Sequence, residues 1–500
     1  MQRYQVLILF LLGLWMLCVE RLLAEDPIRD AVVKIQSTQL APDYQRPWAK
    51  SSPTKSGGSG VIVDVDGLHV LTNAHVVRFA SQIYVQPNST TEKYAAEIVA
   101  IAPGIDLALL KIKNPEVLAE QSALQLSDEL PSTKDTVNVY GFPIGGDDLS
   151  VTEGIVSRIE FSRYYFGDSG TRIQVDAALN PGNSGGPAVV EDKIVGLVFS
   201  GIRDADNIGY LIPAQEIRMF LRDIADGSYQ GKPKLFDRFQ VAENEALRNR
   251  LSLEKETTGV IITKPYRKED SYPLKRWDVI TKIGPHKIDN QGLVQLRNDL
   301  RLRFHYFIPQ LVKEGNIELA IVRDGQRIQV QVPVEHKMEL LLPRAMYDYP
   351  EYAIYGPLVF TTATLEIGQS MTRSSRWLAL LANRRSPLIS RMMDKPQFPG
   401  EQLVIVPTGM FSHPINKGYA NPSFQVVSHL NDEPVKNLAH LVELLRDFSG
   451  EYVEFTFAGQ IETLIFRHAE VVESSEIILE AEGIRHQFSP RLRKIWNAGK

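Results

Sequence analysis

The stretch LNPGNSGGP, residues 179–187, decides the fold of this 500-residue chain. A serine hydroxyl becomes a useful nucleophile only when a base accepts its proton and fixed donors receive the charge that develops on the attacked carbonyl. The glycines around Ser184 let the backbone curl, so that amide hydrogens can converge on one oxyanion. We therefore predict Ser184 as a nucleophile and the backbone N–H groups of Gly182, Asn183 and Ser184 as an oxyanion hole.

The residues after the serine separate two architectures. Residues 182–186 also match the G-x-S-x-G pattern of α/β-hydrolases, in which a helix must follow the serine. Here the serine is followed by PAVV, an Asp-containing turn at 191–192 and the strand-like run KIVGLVF. A strand in place of the helix argues against the α/β-hydrolase interpretation.

The surrounding sequence is built from short apolar runs. Between residues 31 and 213 these include GVIVD, HVLTNAHVV, LALLKI, TVNVYGFP and RIQVDAA, with turn residues between them. Ten or more strands at this spacing predict a closed antiparallel β architecture, either one large barrel or two small ones. A helix should follow, because Ile217, Phe220 and Ile224 in AQEIRMFLRDIADG share one face.

Two further motifs offer a base and an acid. TNAHVV contains His75, and DLALLKI begins with Asp106, whose place at the start of an apolar strand would put its carboxylate near the core. Each residue alone would more often be structural. The chain order His, Asp, Ser is that of the chymotrypsin-type double barrel, whereas nucleophile-elbow hydrolases run Ser, acid, His. We predict His75 as the general base and Asp106 as the group that orients it.

The sequence beyond the barrel region divides into further segments. Residues 228–239 are polar and contain Gly and Pro, which predicts a linker. Residues 240–335 and 345–470 each mix strands with one predicted helix, QGLVQLRNDLRLRF in the first and NLAHLVELLRDF in the second. Residues 471–500 are charged and weakly patterned, and we expect a mobile or docking tail.

The motifs TNAHVV, DLALLKI and GNSGGP resemble the triad motifs of the Deg/HtrA serine proteases. VTEGIVSRIE, NIGYLIP and NKGYANPSFQVVSHLNDEPVKNL are similar to the plant-type Deg branch, in which two PDZ domains follow the protease domain. The resemblance implies a mainly β chain: a chymotrypsin-like double β-barrel protease domain at residues 25–227, followed by two α+β PDZ-type domains at 240–335 and 345–470.

The same resemblance implies an activity and partners. The expected function is that of an ATP-independent serine endopeptidase that degrades unfolded or damaged proteins. The expected assembly is a homo-oligomer, a trimer or a multiple of three, in which PDZ contacts gate the active site. SRYYFGDSGTR, residues 162–172, is then a candidate sensor loop or plain surface. The alternative function is a non-catalytic or conditionally active chaperone that binds peptides through its PDZ domains.

Substrate specificity follows from the residue that, by the same likeness, forms the base of the pocket for the P1 side chain. That residue is six positions before the nucleophile, which is Ala178, and Ile208 lies on the facing segment by resemblance. An apolar floor without a carboxylate predicts small or medium aliphatic P1 residues.

A PDZ domain takes a peptide as an added strand and holds its carboxylate on backbone N–H groups. In the first segment TTGVIITK would supply these groups from Gly259, Val260 and Ile261. In the second, IYGPLVF would play this part, although Pro357 has no N–H to donate. For both segments the alternative is a spacer or assembly surface with an occluded groove.

Composition narrows the classes of partner and cofactor. Lys and Arg number 55 against 60 Asp and Glu, a net charge of −5, so there is no basic excess to neutralise nucleic-acid phosphates. The single cysteine, Cys18, excludes an intramolecular disulfide. The ten histidines form no HExxH motif and no cluster at metal-ligand spacing, so we expect neither a metal nor another cofactor.

The N-terminal segment has the pattern of a secretory signal. Arg3 precedes an apolar run over residues 6–19, and small Ala24 closes the segment. We predict a signal peptide over residues 1–24 and an exported, periplasmic protein. The alternative is an uncleaved segment that anchors the chain to a membrane.

Overall fold

The structure is a computed structural model. It describes residues 26–498 except for a few short gaps, at 89, 120, 145, 165–166, 202–207, 373–374 and 460–461. The predicted signal peptide lies outside the described residues. Within the described part of the chain, no helix has the length and apolar character needed to span a membrane.

The chain divides into two compact units. One contains the residues up to Gln39 together with Lys55–Lys337, and the other contains Leu40–Thr54 and the residues from Met338 onward. The segment Leu40–Thr54 was expected to belong to the protease domain at 25–227. In the structure the Trp48 ring instead packs against Phe411, with ring centroids 5.3 Å apart, so this insertion between two barrel strands is part of the second unit.

The first unit begins with a closed six-stranded barrel in the order β1-β2-β3-β6-β5-β4. Alternating burial along its strands fills the interior with residues such as Val33, Ile35, Val85 and Leu110. The elements are α1 (Pro27–Asp30), β1 (Val32–Gln39), β2 (Thr54–Asp64), β3 (Leu68–Thr72), α2 (Ala74–Val77), β4 (Ala80–Pro87), β5 (Tyr94–Ala102) and β6 (Leu107–Ile112).

A second closed barrel follows in the order β10-β11-β12-β9-β8-β7. The prediction of a closed β architecture is confirmed in its two-barrel form. The predicted helix is confirmed as well, with Ile217 and Phe220 buried. A 3₁₀ turn, Ile224–Asp226, follows it and ends at Gly227, which has a positive φ. The elements are β7 (Thr136–Gly141), β8 (Ser150–Arg163), β9 (Ser169–Val175), β10 (Pro187–Val190), β11 (Lys193–Gly201), β12 (Gly209–Pro213) and α3 (Ala214–Asp223).

The rest of the first unit is a sheet in the order β13-β14-β15-β19-β20, with β16 beside β15, and a hairpin β17-β18. The elements are β13 (Arg238–Val241), α4 (Glu245–Arg250), β14 (Val260–Lys264), β15 (Val279–Ile283), β16 (His286–Lys287), β17 (Leu293–Arg297), β18 (Leu300–Arg303), α5 (Ile308–Leu311), β19 (Asn316–Arg323) and β20 (Gln326–Pro333).

The helix predicted for QGLVQLRNDLRLRF is wrong, because this stretch forms the hairpin β17-β18. Leu300 and Leu302 are buried while Arg301 and Arg303 are exposed, which is the period of a strand. The predicted linker is also not a free connection. Lys232 and Leu235 are buried, and β13 begins within it.

The second unit contains a three-stranded sheet, β21-β22-β23, and a four-stranded sheet, β25-β24-β26-β27. The helix predicted for NLAHLVELLRDF is confirmed as α9, which buries Leu438, Leu441, Val442 and Leu445. The strands are β21 (Tyr352–Tyr355), β22 (Leu358–Thr362), β23 (Val404–Ile405), β24 (Val427–Leu430), β25 (Glu433–Pro434), β26 (Tyr452–Phe457) and β27 (Leu464–Arg467). The helices are α6 (Leu365–Thr372), α7 (Ser375–Asn383), α8 (Pro387–Ser390), α9 (Leu438–Asp447), α10 (His468–Ala481) and α11 (Pro490–Asn497).

The C-terminal residues, for which we predicted a mobile or docking tail, pack against the rest of the second unit. Helix α11 buries Leu492 in the same core as α9. Between α10 and α11 the chain runs beside β21, where the N–H of Ile354 donates to the carbonyl of Gln487 at 2.9 Å and the N–H of Ser489 donates to the carbonyl of Tyr352 at 3.0 Å.

Candidate active site

The first barrel brings His75 and Asp106 together because β3 and β6 are neighbours. His75 lies on α2, directly after β3, and Asp106 directly precedes β6. The ring Nδ1 of His75 is 2.7 Å from Oδ2 of Asp106, and the backbone N–H of His75 donates to Oδ1 at 2.9 Å. Both carboxylate oxygens are thus engaged, and the Asp106 residue is only 1% exposed.

The backbone of Asp106 is held in an unusual conformation. Its φ is +60°, and its N–H donates to the carbonyl of Pro103 at 3.1 Å. Its carbonyl accepts hydrogen bonds from Nδ2 of Asn73 at 3.0 Å and from the N–H of Ala74 at 3.2 Å. Asn73 lies two residues before His75 in TNAHVV, but an asparagine at this position has no sequence signal of its own.

The environment of His75 favours its charged form. Burial lowers the pKa of His75, but the hydrogen bond and the negative charge of Asp106 together outweigh burial and raise this pKa above its ordinary value of 6.5. A neutral His75 therefore has enhanced affinity for a proton, which suits a group that must accept one from a hydroxyl.

On the second barrel, Ser184 lies in a loop whose shape depends on glycine. Gly182 and Gly185 have φ values of +104° and +86°. A side-chain carbon built on Gly185 would lie 2.1 Å from the carbonyl oxygen of Ser59, and one built on Gly186 would lie 2.0 Å from that of Tyr140. Only residues without a side chain fit here, so the glycines fix the position of Ser184.

Ser59 of β2 connects this loop to the first barrel. Its N–H donates to the carbonyl of Ser184 and its Oγ donates to the carbonyl of Gly182, each at 2.8 Å. The same Oγ accepts the N–H of Phe142 at 2.8 Å. Ser59 is fully buried, and the sequence analysis missed it because the signal is only one serine within a glycine-rich strand.

The predicted oxyanion donors differ in their engagement. The N–H of Asn183 donates to the carbonyl of Asn180 at 3.0 Å, so this predicted donor is already engaged within the loop. The carbonyl of Pro181 accepts the N–H of Ile144 at 2.8 Å. Because C=O and N–H of a trans peptide point in opposite directions, the N–H of Gly182 points away from Ile144.

The predicted P1 pocket residues occupy different surroundings. Ala178 is exposed, whereas Ile208 is half-buried and packs against the core that contains Phe199. Leu179 lies between Ala178 and the loop of Ser184, and its side chain packs against the backbone of Gly209. A side-chain carbon built on Gly209 would lie 2.2 Å from Cδ1 of Leu179. Leu179, which is not among the predicted pocket residues, therefore offers a larger apolar surface than Ala178 at this position.

The peptide loop predicted for the first C-terminal segment is corrected by the sheet order. Val260 pairs with Val241 of β13 on one side and with Ile280 of β15 on the other, and Ile261 is likewise paired on both sides. An added peptide strand needs an edge, and β14 has none. Gly259, just before β14, donates its N–H to Oδ1 of Asn290 at 3.3 Å.

The corresponding loop of the second unit is covered by α10. The N–H of Gly356 donates to Oγ of Ser475 at 2.8 Å, and a side-chain carbon on Gly356 would lie 2.7 Å from Cγ1 of Val471. A side chain of α10 thus accepts the N–H group that a peptide carboxylate would need. This agrees with the alternative of an occluded groove for this segment.

Two family models match this chain, one in each compact unit. Residues 58–197 match the model of the trypsin-like peptidase domain, and residues 342–491 match that of the PDZ domain. A solved HtrA-type protease, AlgW with a decapeptide, is 24% identical, with a TM-score of 0.47 over 62% of this chain and 96% of that one.

Curated relatives extend over most of the sequence. The mitochondrial Protease Do-like 4 of Arabidopsis thaliana is 34% identical over 91% of this chain and 84% of its own length. The chloroplastic Protease Do-like 2 of the same plant is 34% identical over 93% of this chain and 75% of its own length. The chain belongs to the Deg/HtrA family of serine proteases, in its plant-type branch.

Proposed function

We propose that this serine protease uses His75, Asp106 and Ser184 as its catalytic triad. The observation that carries the proposal is the two-point hydrogen bonding of His75 to a buried Asp106, on the barrel that Ser59 ties to the Ser184 loop. This pairing fixes the imidazole with Nδ1 toward the acid, which leaves Nε2 for the serine proton.

In the proposed mechanism, Oγ of Ser184 attacks the scissile carbonyl carbon while His75 takes the hydroxyl proton. The N–H groups of Gly182 and Ser184 hydrogen-bond the developing oxyanion. The C–N bond then breaks, His75 passes the proton to the leaving amine, and water hydrolyses the acyl ester by the same steps. Asp106 stays ionised and stabilises the imidazolium that forms.

A fluorophosphonate probe tests this assignment, because it labels only an activated serine. We expect labelling of the wild type and none of Ser184→Ala, with Ser81→Ala as a matched control, since Ser81 is an exposed serine of the first barrel. Labelling that persists in Ser184→Ala would refute the assignment. Binding of unfolded protein without any labelling would favour the chaperone alternative.

The proposed substrates are unfolded or damaged proteins, cleaved without ATP after aliphatic P1 residues. The apolar surface of Leu179 near Ala178, with Ile208 as the predicted facing residue, supports the aliphatic preference. Digestion of casein and of a folded protein, with mass spectrometry of the fragments, measures both properties. Cleavage after Lys or Arg would contradict the pocket, and equal cleavage of both proteins would contradict the substrate class.

We further propose a homo-oligomer of three chains or a multiple, and an exported protein from which residues 1–24 are removed. Both proposals follow from the family resemblance and the N-terminal pattern. Light scattering after size exclusion measures the first. The intact mass of the protein from its own cells measures the second, and a mass that includes residues 1–24 would favour a membrane anchor.

A further inference from the structure

The tip of the β8-β9 hairpin touches the turn that carries Asp106. A side-chain carbon built on Gly104 would lie 3.1 Å from Cβ of Asp168 and 3.3 Å from its Oδ2. Gly104 belongs to the 3₁₀ turn Pro103–Ile105, and the next residue is Asp106. Asp168 therefore forms the wall against which this turn packs.

Asp168 is itself held by a lysine of the predicted linker. Nζ of Lys234 is 2.5 Å from its Oδ1, which also accepts the N–H of Ser169 at 2.8 Å. Burial raises the pKa of Asp168, but the charges of Lys234 and Lys232 outweigh burial and hold this pKa below its ordinary value. The side chain is only 12% exposed, so its carboxylate depends on a charged partner.

The backbone of Lys234 belongs to a different part of the first unit. Its N–H donates to the carbonyl of Glu335 at 2.9 Å, and the N–H of Glu335 donates back at 3.1 Å, just beyond β20. Lys234 thus contacts the segment that follows β20 through its backbone and Asp168 of the hairpin through its side chain.

A second lysine anchors the hairpin independently. Nζ of Lys232 is 2.6 Å from Oε2 of Glu216 and donates to the carbonyl of Ser169 at 2.8 Å. Oε1 of Glu216 accepts the N–H of Thr171 at 2.8 Å. Because this buried pair fixes the start of β9, loss of the Lys234 contact should loosen the tip without unfolding the hairpin.

We propose that Asp168, held by Lys234, is a positioning residue for Asp106. Asp168 keeps the Pro103–Ile105 turn in place, and the turn keeps the carboxylate of Asp106 in line with His75. The expected effect on kcat rests on the proposed triad, whereas the contacts from Lys234 through Asp168 to the Pro103–Ile105 turn do not.

The test uses Lys234→Met, which keeps most of the side-chain length, and Asp168→Asn, which keeps the shape. Since a displacement of about 1 Å can cost about 10²-fold in rate, we expect each variant to lower kcat by roughly tenfold or more while KM stays within about twofold. Combining the two should cost little more than either alone, because they break one contact. Lys234→Arg should restore the rate.

A second measurement does not need activity. In full-length Ser184→Ala protein, NMR titration of the labelled imidazole gives the pKa of His75. We expect Lys234→Met and Asp168→Asn to lower this pKa, since a displaced Asp106 supports the imidazolium less. The control is Arg327→Met, which breaks an exposed ion pair with Glu254 in the same unit and should change neither readout.

The outcomes separate the two proposals. An unchanged kcat and an unchanged His75 pKa in both variants would overturn the positioning role, as would activity lost only in proportion to folded protein. A lowered His75 pKa in a protein whose wild type labels no serine would sustain the positioning role and refute the proposed triad function.

Discussion

The two barrels hold their parts of the candidate site by different means. In the first, His75 and Asp106 are joined by directed hydrogen bonds between charged or ionisable groups. In the second, Ser184 is held by backbone shape, with positive φ values at Gly182 and Gly185 and almost no space for added atoms. The first side should therefore respond to changes of charge, and the second to changes of volume and backbone tethering.

The largest expected effect removes the nucleophile from the second barrel. Ser184→Ala should lower turnover by about 10⁶-fold, because it removes the hydroxyl that we propose attacks the carbonyl. Hydrolysis of a fluorogenic peptide measures it, and unchanged thermal unfolding is expected because Ser184 contributes to the loop through its backbone carbonyl. A residual rate within about tenfold of the wild type would mean that another group attacks.

The next largest effect is expected from a substitution that removes the charge of Asp106 in the first barrel and keeps the shape of its side chain. Asp106→Asn should lower kcat by about 10⁴-fold, because an amide favours the wrong imidazole tautomer. The matched control, Asp66→Asn, changes an exposed residue in the β2–β3 turn of the same barrel and should be neutral. A fall of less than about tenfold in the first variant would show that the acid does not orient His75.

Sequence patterns predict the candidate triad residues but not the buried residues that hold them in place. His75, Asp106 and Ser184 lie in local motifs whose residue types and chain order favour a catalytic triad, so the sequence alone is enough to propose them. Ser59 has no local sequence pattern, because its partners in the Ser184 loop are more than a hundred residues away. The same applies to Asp168, whose contact with Gly104 exists only after the barrels close.

The C-terminal half shows a different difficulty. In the stretch that forms β17 and β18, leucines fit a helical spacing, and short apolar runs do not distinguish a helix from a strand. The positive φ of Gly292 and the pairing of Leu293 with Arg303 decide for the hairpin. Likewise, the central place of TTGVIITK in the sheet depends on its pairing with β13 on one side and β15 on the other, which the residues of this stretch alone do not reveal.

Ser59→Ala should produce a smaller effect, which tests whether the barrels are coupled through this residue. It leaves the carbonyl of Gly182 and the N–H of Phe142 without their buried partner, at a cost of about 1–3 kcal/mol in the free energy of unfolding. We expect kcat to fall with it, as the Ser184 loop loses a tether. Ser81→Ala, which removes an exposed hydrogen bond in the same barrel, should change neither value. Lost stability with full kcat would show that backbone shape alone positions Ser184.

The smallest effect is the pH dependence of the wild type. Because the hydrogen bond and charge of Asp106 raise the pKa of His75 above its ordinary value, kcat/KM should fall as pH decreases through that raised pKa. Each further pH unit below it should cost about tenfold, since only neutral imidazole accepts the serine proton. In Asp106→Asn the charge that raises the pKa is gone while burial, which lowers it, remains, so the acid limb of the residual activity should move to lower pH. A peptide assay from about pH 5 to about pH 9 measures the acid limb of the wild type and that of Asp106→Asn. Identical limbs in the two proteins would mean that the titrating group is not the imidazole held by Asp106.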